Sequence, residues 1–254
     1  MTALGTARVT ALRRAAVRAT LAPSVHNTQP WRLHIKDGRL DIYADRARQL
    51  MVLDPTSRQL LISCGCAIMN ARVSLAGSGV GVQVQRNPHP MHDDLVAALT
   101  PTSEPADSAL AALDPVIEVR QSNRRQFADE PVPETIIGTL EQAAAAEQAF
   151  LYVIQDADQR NAVASLSQRA DDIENLNPAY RAELRAWTSH DAGRRDGVPA
   201  LAVPHVDGSA QDDVPIRDFD TSGKGGLPAA THPSPNQTLV LICTAGDSAS
   251  DWLR

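Results

Sequence analysis

The chain has 254 residues, 43% of them hydrophobic, which is enough apolar material for one large domain or two small ones with buried cores. A formal net charge of −6 and a pI near 5.6 argue against a dominant basic surface, so neither nucleic acid nor an anionic membrane is an expected partner. Three cysteines, Cys64, Cys66 and Cys243, show neither redox C-x-x-C spacing nor a second zinc-type pair, and read as small buried hydrophobes in a reducing compartment.

In chain order, Val9, Leu12, Ala16 and Ala19 recur at helical spacing between arginines and predict an amphipathic helix over 6–21 that Pro23 ends. Those arginines break any signal-peptide core, and no run approaches the length of a membrane span, so the expected location is the cytoplasm. Residues 22–31, Ala-Pro-Ser-Val-His-Asn-Thr-Gln-Pro-Trp, form a polar loop running straight into a strand. Pro23 and Pro30 stiffen it by fixing their own φ and extending their predecessors. Such a loop either presents binding residues or uses its Ser and Asn to cap its own backbone.

Trp31, Leu33 and Ile35, then the turn Asp37-Gly38, then Leu40 and Ile42 predict a hairpin. Asp54-Pro55 predicts the cap and first position of a nearly wholly buried helix that carries Leu60 to Leu75 and stops at Gly77 and Gly79. A strand with Val80, Val82 and Val84 follows. Linker composition at 101–107 predicts a boundary between a first half, 1–100, and a second, 108–254.

The second half reads as a short helix near 109–120, a helix at 134–148, a strand at 150–154, and a helix at 159–172. A further helix puts Tyr180, Leu184 and Trp187 on one face, most simply as a core stripe. Residues 189–236 are rich in Gly, Pro and Asp without a period, as in a lid or a disordered arm. Leu239 to Cys243 predicts a buried strand.

Arg120-Gln-Ser122-Asn-Arg124-Arg125 places planar bidentate donors beside a hydroxyl, a set that can grip phosphate. It also fits a solvated basic turn paired with Asp129 and Glu130, which charge alone favours. Gly77-Ser-Gly79-Val-Gly81 follows a helix and precedes a strand, the reverse of the dinucleotide-binding order. His89, His92, Asp93 and Asp94 lack a second ligand cluster, so no metal site is expected. No nucleophile motif with Ser, His and Asp is present.

Together, residues 22–31 and 120–124 resemble the two flavin-contacting elements of the nitroreductase superfamily. The chain resembles in particular the Acg family of actinobacterial nitroreductase-like proteins, with Asn-Pro-Ala-Tyr-Arg-Ala-Glu-Leu-Arg-Ala-Trp at 177–187, Asp-Gly-Val-Pro at 196–199 and Arg217-Asp-Phe219.

The resemblance implies an α+β fold built as a fused pseudo-dimer of two related halves, with a lid at about 175–236 and one composite FMN site. Arg120 and Ser122 would hold the FMN phosphate and Arg124 the pyrimidine edge, while Pro23, Ser24, His26, Asn27 and Gln29 approach from the other half. It further implies hydride transfer from NAD(P)H through flavin to a small molecule such as a nitro compound or quinone, and it allows a homodimer. The family runs on beyond the strand at 239–243, so the second half is expected to be incomplete. Flavin storage without turnover, or an inactive truncated remnant, are the alternative readings.

Overall fold

The structure, a computed structural model, describes residues 3–87, 94–125, 127–128, 130–189, 193–203, 225–227 and 236–254. In chain order the elements are α1 (Ala3–Ala19), β1 (Trp31–Lys36), β2 (Arg39–Ala44), α2 (Arg58–Gly77), β3 (Val82–Arg86), β4 (Leu95–Pro101), α3 (Ser108–Ala112), α4 (Glu134–Ala146), β5 (Ala149–Ile154), α5 (Ala157–Leu176), α6 (Pro178–Trp187), β6 (Thr188–Ser189), β7 (Val198–Pro199), β8 (Leu239–Thr244) and α7 (Ala249–Trp252). The mixture of helices and antiparallel sheet is α+β, as expected. Two compact units divide the chain, Met1–Ser122 with Asp247–Arg254, and Asn123–Gly246.

In the first unit a four-stranded sheet of order β1-β2-β4-β3 is antiparallel throughout, and α1 and α2 pack together in the same core. The hairpin forms in the expected register, Lys36 opposite Arg39, and both turn residues Asp37 and Gly38 have positive φ (52° and 72°). That turn matches the right-handed twist of the flanking strands. Leu12, Leu40, Ile42, Leu60, Ile68, Leu75 and Leu99 are fully enclosed.

Four features depart from the sequence expectation here. The interior strand β4 was not foreseen. Leu95 to Leu99 are all buried, so the segment reads as a short apolar run with no alternation to mark it. The stretch 101–107 runs within the first unit, with Thr102 N donating to the Gly81 carbonyl (2.9 Å) and Arg8 to the Thr102 carbonyl (3.1 Å). The helix expected near 109–120 is broken, α3 being followed by a separate 3₁₀ turn at Asp114–Val116, with Pro115 inside it.

The fourth departure is the start of α2, which lies at Arg58 after Ser57 in left-handed geometry (φ 67°), so Asp54 and Pro55 precede the helix. Asp54 is nonetheless a cap of another kind. Buried at 3% exposure, its carboxylate accepts from Leu60 N (2.9 Å), one of the otherwise orphaned first-turn donors. Asp54→Ala is therefore expected to lower the urea-unfolding free energy of this unit by about 1–2 kcal/mol. Asp54→Asn, which keeps an acceptor, is expected to cost less. Against the expectation that no run approaches a membrane span, α2 is long and apolar enough to cross a membrane by length and composition; it is mostly buried in this unit, as the core helix of a packed domain is.

Residues 247–254 belong to the first unit although they follow β8. Leu253 is fully buried in the core, its carbonyl accepts from Arg86 Nε (2.9 Å), and a Cβ on Gly65 would come within 3.1 Å of its backbone.

In the second unit β5 and β8 pair antiparallel, Ala149 opposite Thr244, with α4 packed on β5. The expected buried strand at 239–243 is instead largely exposed, with Ile242 at 73%, because a two-stranded ribbon covers little of either face. Cys243 is accordingly exposed, against the expectation of a buried thiol, whereas Cys64 is buried and Cys66 half-buried. Tyr180 and Leu184 are buried as a core stripe, and Trp187 lies half-buried with the Arg194 guanidinium 5.2 Å from its ring centre. Of the expected lid, 190–192, 204–224 and 228–235 lie outside the described residues, as do His89, His92 and Asp93.

Candidate functional site

The loop after α1 is strained and over-determined. His26, Asn27 and Gln29 all have left-handed φ (47°, 53° and 50°), a region that costs non-glycine residues about 1–2 kcal/mol each, less for asparagine. Such strain persists only where surroundings impose it, and it concentrates at ligand clamps and active sites.

The surroundings here are explicit. Asn27 N donates to Ser24 O (2.9 Å), Thr28 N to Val25 O (3.0 Å), and Gln29 N to Ser24 Oγ (2.9 Å). From α2, the Ser63 hydroxyl accepts from Val25 N (3.1 Å) and Cys64 Sγ contacts Pro30 O (3.5 Å). From the 3₁₀ turn after β2, Arg48 donates to Thr28 O (2.9 Å), while Asp45 N donates to Pro30 O (2.9 Å). Pro23, Ser24, Asn27 and Gln29 are half-buried and His26 is buried. The Ser24 oxygen thus serves the loop's own backbone, which was one of the two readings of this segment.

Of the arginine segment, Arg120 reaches the residue that precedes this loop. Arg120 N continues the turn by donating to Val116 O (3.0 Å), and Arg120 Nη2 makes a long contact with the Leu21 carbonyl (3.4 Å), two residues before Pro23. The guanidinium is also close enough to Cys66 to favour its thiolate, although burial is the larger effect and keeps that thiol's pKa raised. Burial pushes the Cys64 thiol up to about 12, so it is a neutral packing group rather than a nucleophile at neutral pH. Arg120 and Ser122 are exposed at the end of the first unit. Arg124 lies in the second unit, half-buried, with its pKa lowered by desolvation.

Sequence reasoning missed what holds the arginine segment. Arg14 on α1 grips Asp114 with both guanidinium nitrogens (3.0 and 2.5 Å) and donates to Ser74 O and Oγ on α2 (3.1 and 3.0 Å). The Arg14 hydrogen bond, aided by the charges of Arg14 and Arg18, outweighs burial and holds the Asp114 carboxyl below its usual range. A depressed carboxylate stabilises the fold above its ordinary pKa. This contribution is whole at neutral pH and is lost as the pH falls through the lowered value. No spacing signal links residue 14 to residue 114.

Elsewhere in this unit a cleft of about 530 Å³ opens between α2, β3 and the 102–110 segment and contains none of the predicted site residues. Two of its polar side chains are engaged locally. Asp107 caps α3 through Ala109 N and Leu110 N, and the Thr102 hydroxyl accepts from Glu104 N. Among the described residues no cluster of three or more His, Cys, Asp or Glu could hold a metal ion.

No family model matches the chain. Relatives from Mycobacterium tuberculosis do, among them the following three. One, provisionally named NAD(P)H nitroreductase Rv3131, is 32% identical over 223 residues, 88% of this chain and 63% of its own length. The protein provisionally named NAD(P)H nitroreductase acg is 28% identical over 179 residues, 70% of this chain and 54% of its own. The uncharacterized protein Rv3127 is 30% identical over 253 residues, covering 96% of this chain and 71% of its own. The chain thus spans under two thirds of the length of the relatives named as nitroreductases. With alignment reaching across nearly the whole chain, the chain belongs to the Acg-type branch of the nitroreductase superfamily.

Proposed function

We propose that the chain is an FMN-dependent NAD(P)H oxidoreductase of the nitroreductase type, acting on a small molecule such as a nitro compound or a quinone. The observation that carries this reading is the contact of Arg120 with the carbonyl of Leu21, the residue just before the loop motif, which brings the arginine motif beside that loop although they lie about a hundred residues apart in sequence. The donor set suits a flavin mononucleotide. An exposed arginine and a serine hydroxyl match a phosphate, and the strained loop offers preset backbone and side-chain groups beside them. The relatives' names support the reaction class.

When bound, FMN supplies hydride-accepting and hydride-donating chemistry. The chain's own task is to bind and orient. Arg120 and Ser122 are assigned the phosphate, while Pro23, Ser24, His26, Asn27 and Gln29 present the opposite wall, held in shape by Ser63 and Arg48. Arg124 is assigned the pyrimidine edge on the family resemblance. The finer architecture, two related halves with a lid and a cytoplasmic location, belongs to the same proposal.

Titration of the purified chain with FMN, followed by NADH and NADPH oxidation with a nitroaromatic acceptor, tests it. Flavin binding with acceptor-dependent oxidation is the expected result. Binding without oxidation supports flavin storage instead, and no binding overturns the flavin site.

A further inference from the structure

α1 does more than pack. Its C-terminal end leads into the strained loop, and its side chains hold the opposite segment. Arg14 and Arg18 lie one turn apart on α1. Arg14 makes the bidentate pair with Asp114, Arg18 Nη1 donates to the Asp114 carbonyl (3.2 Å), and Arg18 Nη2 pairs with Glu118 (3.0 Å). α2 closes the arrangement from the other side, with Ser74 accepting from Arg14 and Asn70 donating to the Arg18 carbonyl (3.1 Å).

The fit is close. A Cβ on Gly77, the last residue of α2, would lie 2.6 Å from the Asp114 Cβ, so the turn can sit there only against a glycine. Side-chain exposure is 36% for Arg14 and 13% for Asp114, so this pair is shielded more than an ordinary surface pair and its geometry is bidentate. Two residues beyond Glu118 comes Arg120.

We propose that Arg14 and Asp114 are positioning residues for flavin binding, clamping the 114–122 segment to α1 so that Arg120 and Ser122 face the loop that the same helix introduces. This inference rests on the proposed FMN site. It assigns to α1 the spacing between the two walls of that site.

The test uses the 254-residue chain with Asp114→Asn, which is isosteric, Asp114→Ala, and Arg14→Lys, which keeps the charge without the planar fork. The readouts are the FMN dissociation constant from flavin fluorescence, the visible circular dichroism of FMN at saturation, and amide hydrogen exchange across 114–122.

The expected result is FMN binding about tenfold weaker in Asp114→Asn, the scale of one lost side-chain coupling, with an altered flavin dichroism and faster exchange confined to 114–122. Arg14→Lys should recover part of each. Arg39→Met, which breaks the separate Arg39–Asp41 pair on β2 (2.8 Å), should destabilise the unit while leaving FMN affinity within about twofold. Wild-type affinity, dichroism and exchange in Asp114→Asn would overturn the clamp. Should Asp114→Ala fail to fold, Asp114→Asn and Arg14→Lys decide the matter. Wild-type protein that binds no FMN overturns the proposed function instead, and the clamp then stands or falls on the exchange data alone.

Discussion

Leu253→Ala is expected to destabilise the first unit by about 2–5 kcal/mol, the range for truncating a fully enclosed leucine. Leu253 has no exposed surface, yet it is the penultimate residue of the chain and follows only the short helix α7. The segment is held at several points. Ser248 and Asp251 form a reciprocal capping box, Trp252 Nε1 donates to Asp247 (2.6 Å), Arg58 pairs with Asp247 (3.4 Å), and Arg86 holds the Leu253 carbonyl. The leucine therefore cannot shift to refill its own cavity.

An independent substitution tests the same contact from the other side. Gly65→Val places a branched side chain where a Cβ alone would already stand 3.1 Å from the Leu253 backbone, so it is expected to expel the segment. Urea unfolding followed by tryptophan fluorescence measures both, with Leu201→Ala as the control. Leu201 is 82% exposed in the second unit, and its truncation should change stability by less than about 0.5 kcal/mol. Wild-type unfolding of Leu253→Ala would refute the buried placement of residues 247–254.

The second large effect is on binding. Arg120→Ala is expected to weaken FMN affinity by about 10- to 100-fold, the scale of a charge-assisted hydrogen bond to an anion. Arg120→Lys should fall between, since a point charge replaces a planar fork. The side chain is exposed, and its contact with Leu21 is long at 3.4 Å, so stability should change by less than about 0.5 kcal/mol. A loss of affinity without a loss of fold is thus the diagnostic outcome. Raised salt should reduce the difference between wild type and variant, because an exposed cation acts on phosphate through a screened field. Unchanged affinity in Arg120→Ala would remove the phosphate role and with it the main support for the flavin reading.

The hairpin was legible because its turn residues and alternation are local. Asp37 and Gly38 tolerate positive φ, and Leu40 and Ile42 face one core. Helices α1, α2, α4, α5 and α6 were legible from their periodicity, with ends shifted by a few residues. β4 was not, because a strand buried on both faces has no polar alternation to reveal it. The exposure of β8 was misread for the complementary reason. Leu239 to Cys243 carry the composition of an interior strand, and composition does not say how many neighbours cover it.

The two motifs were found in the sequence itself, since stiff proline-flanked polar loops and clustered arginines announce chemistry by residue type alone. Family membership followed from the same residues. The sequence by itself therefore determined the element types, the hairpin turn and the identity of the candidate site residues.

Only tertiary structure decided that Asp54 caps α2 from outside it, that residues 247–254 complete the first unit's core, and that Arg14 holds Asp114 beneath the Arg120 segment. The physical reason is common to all three. Periodicity and turn chemistry fix which groups must be buried or bonded, whereas the partner that satisfies them is chosen by packing between chain segments whose separation in sequence carries no signal.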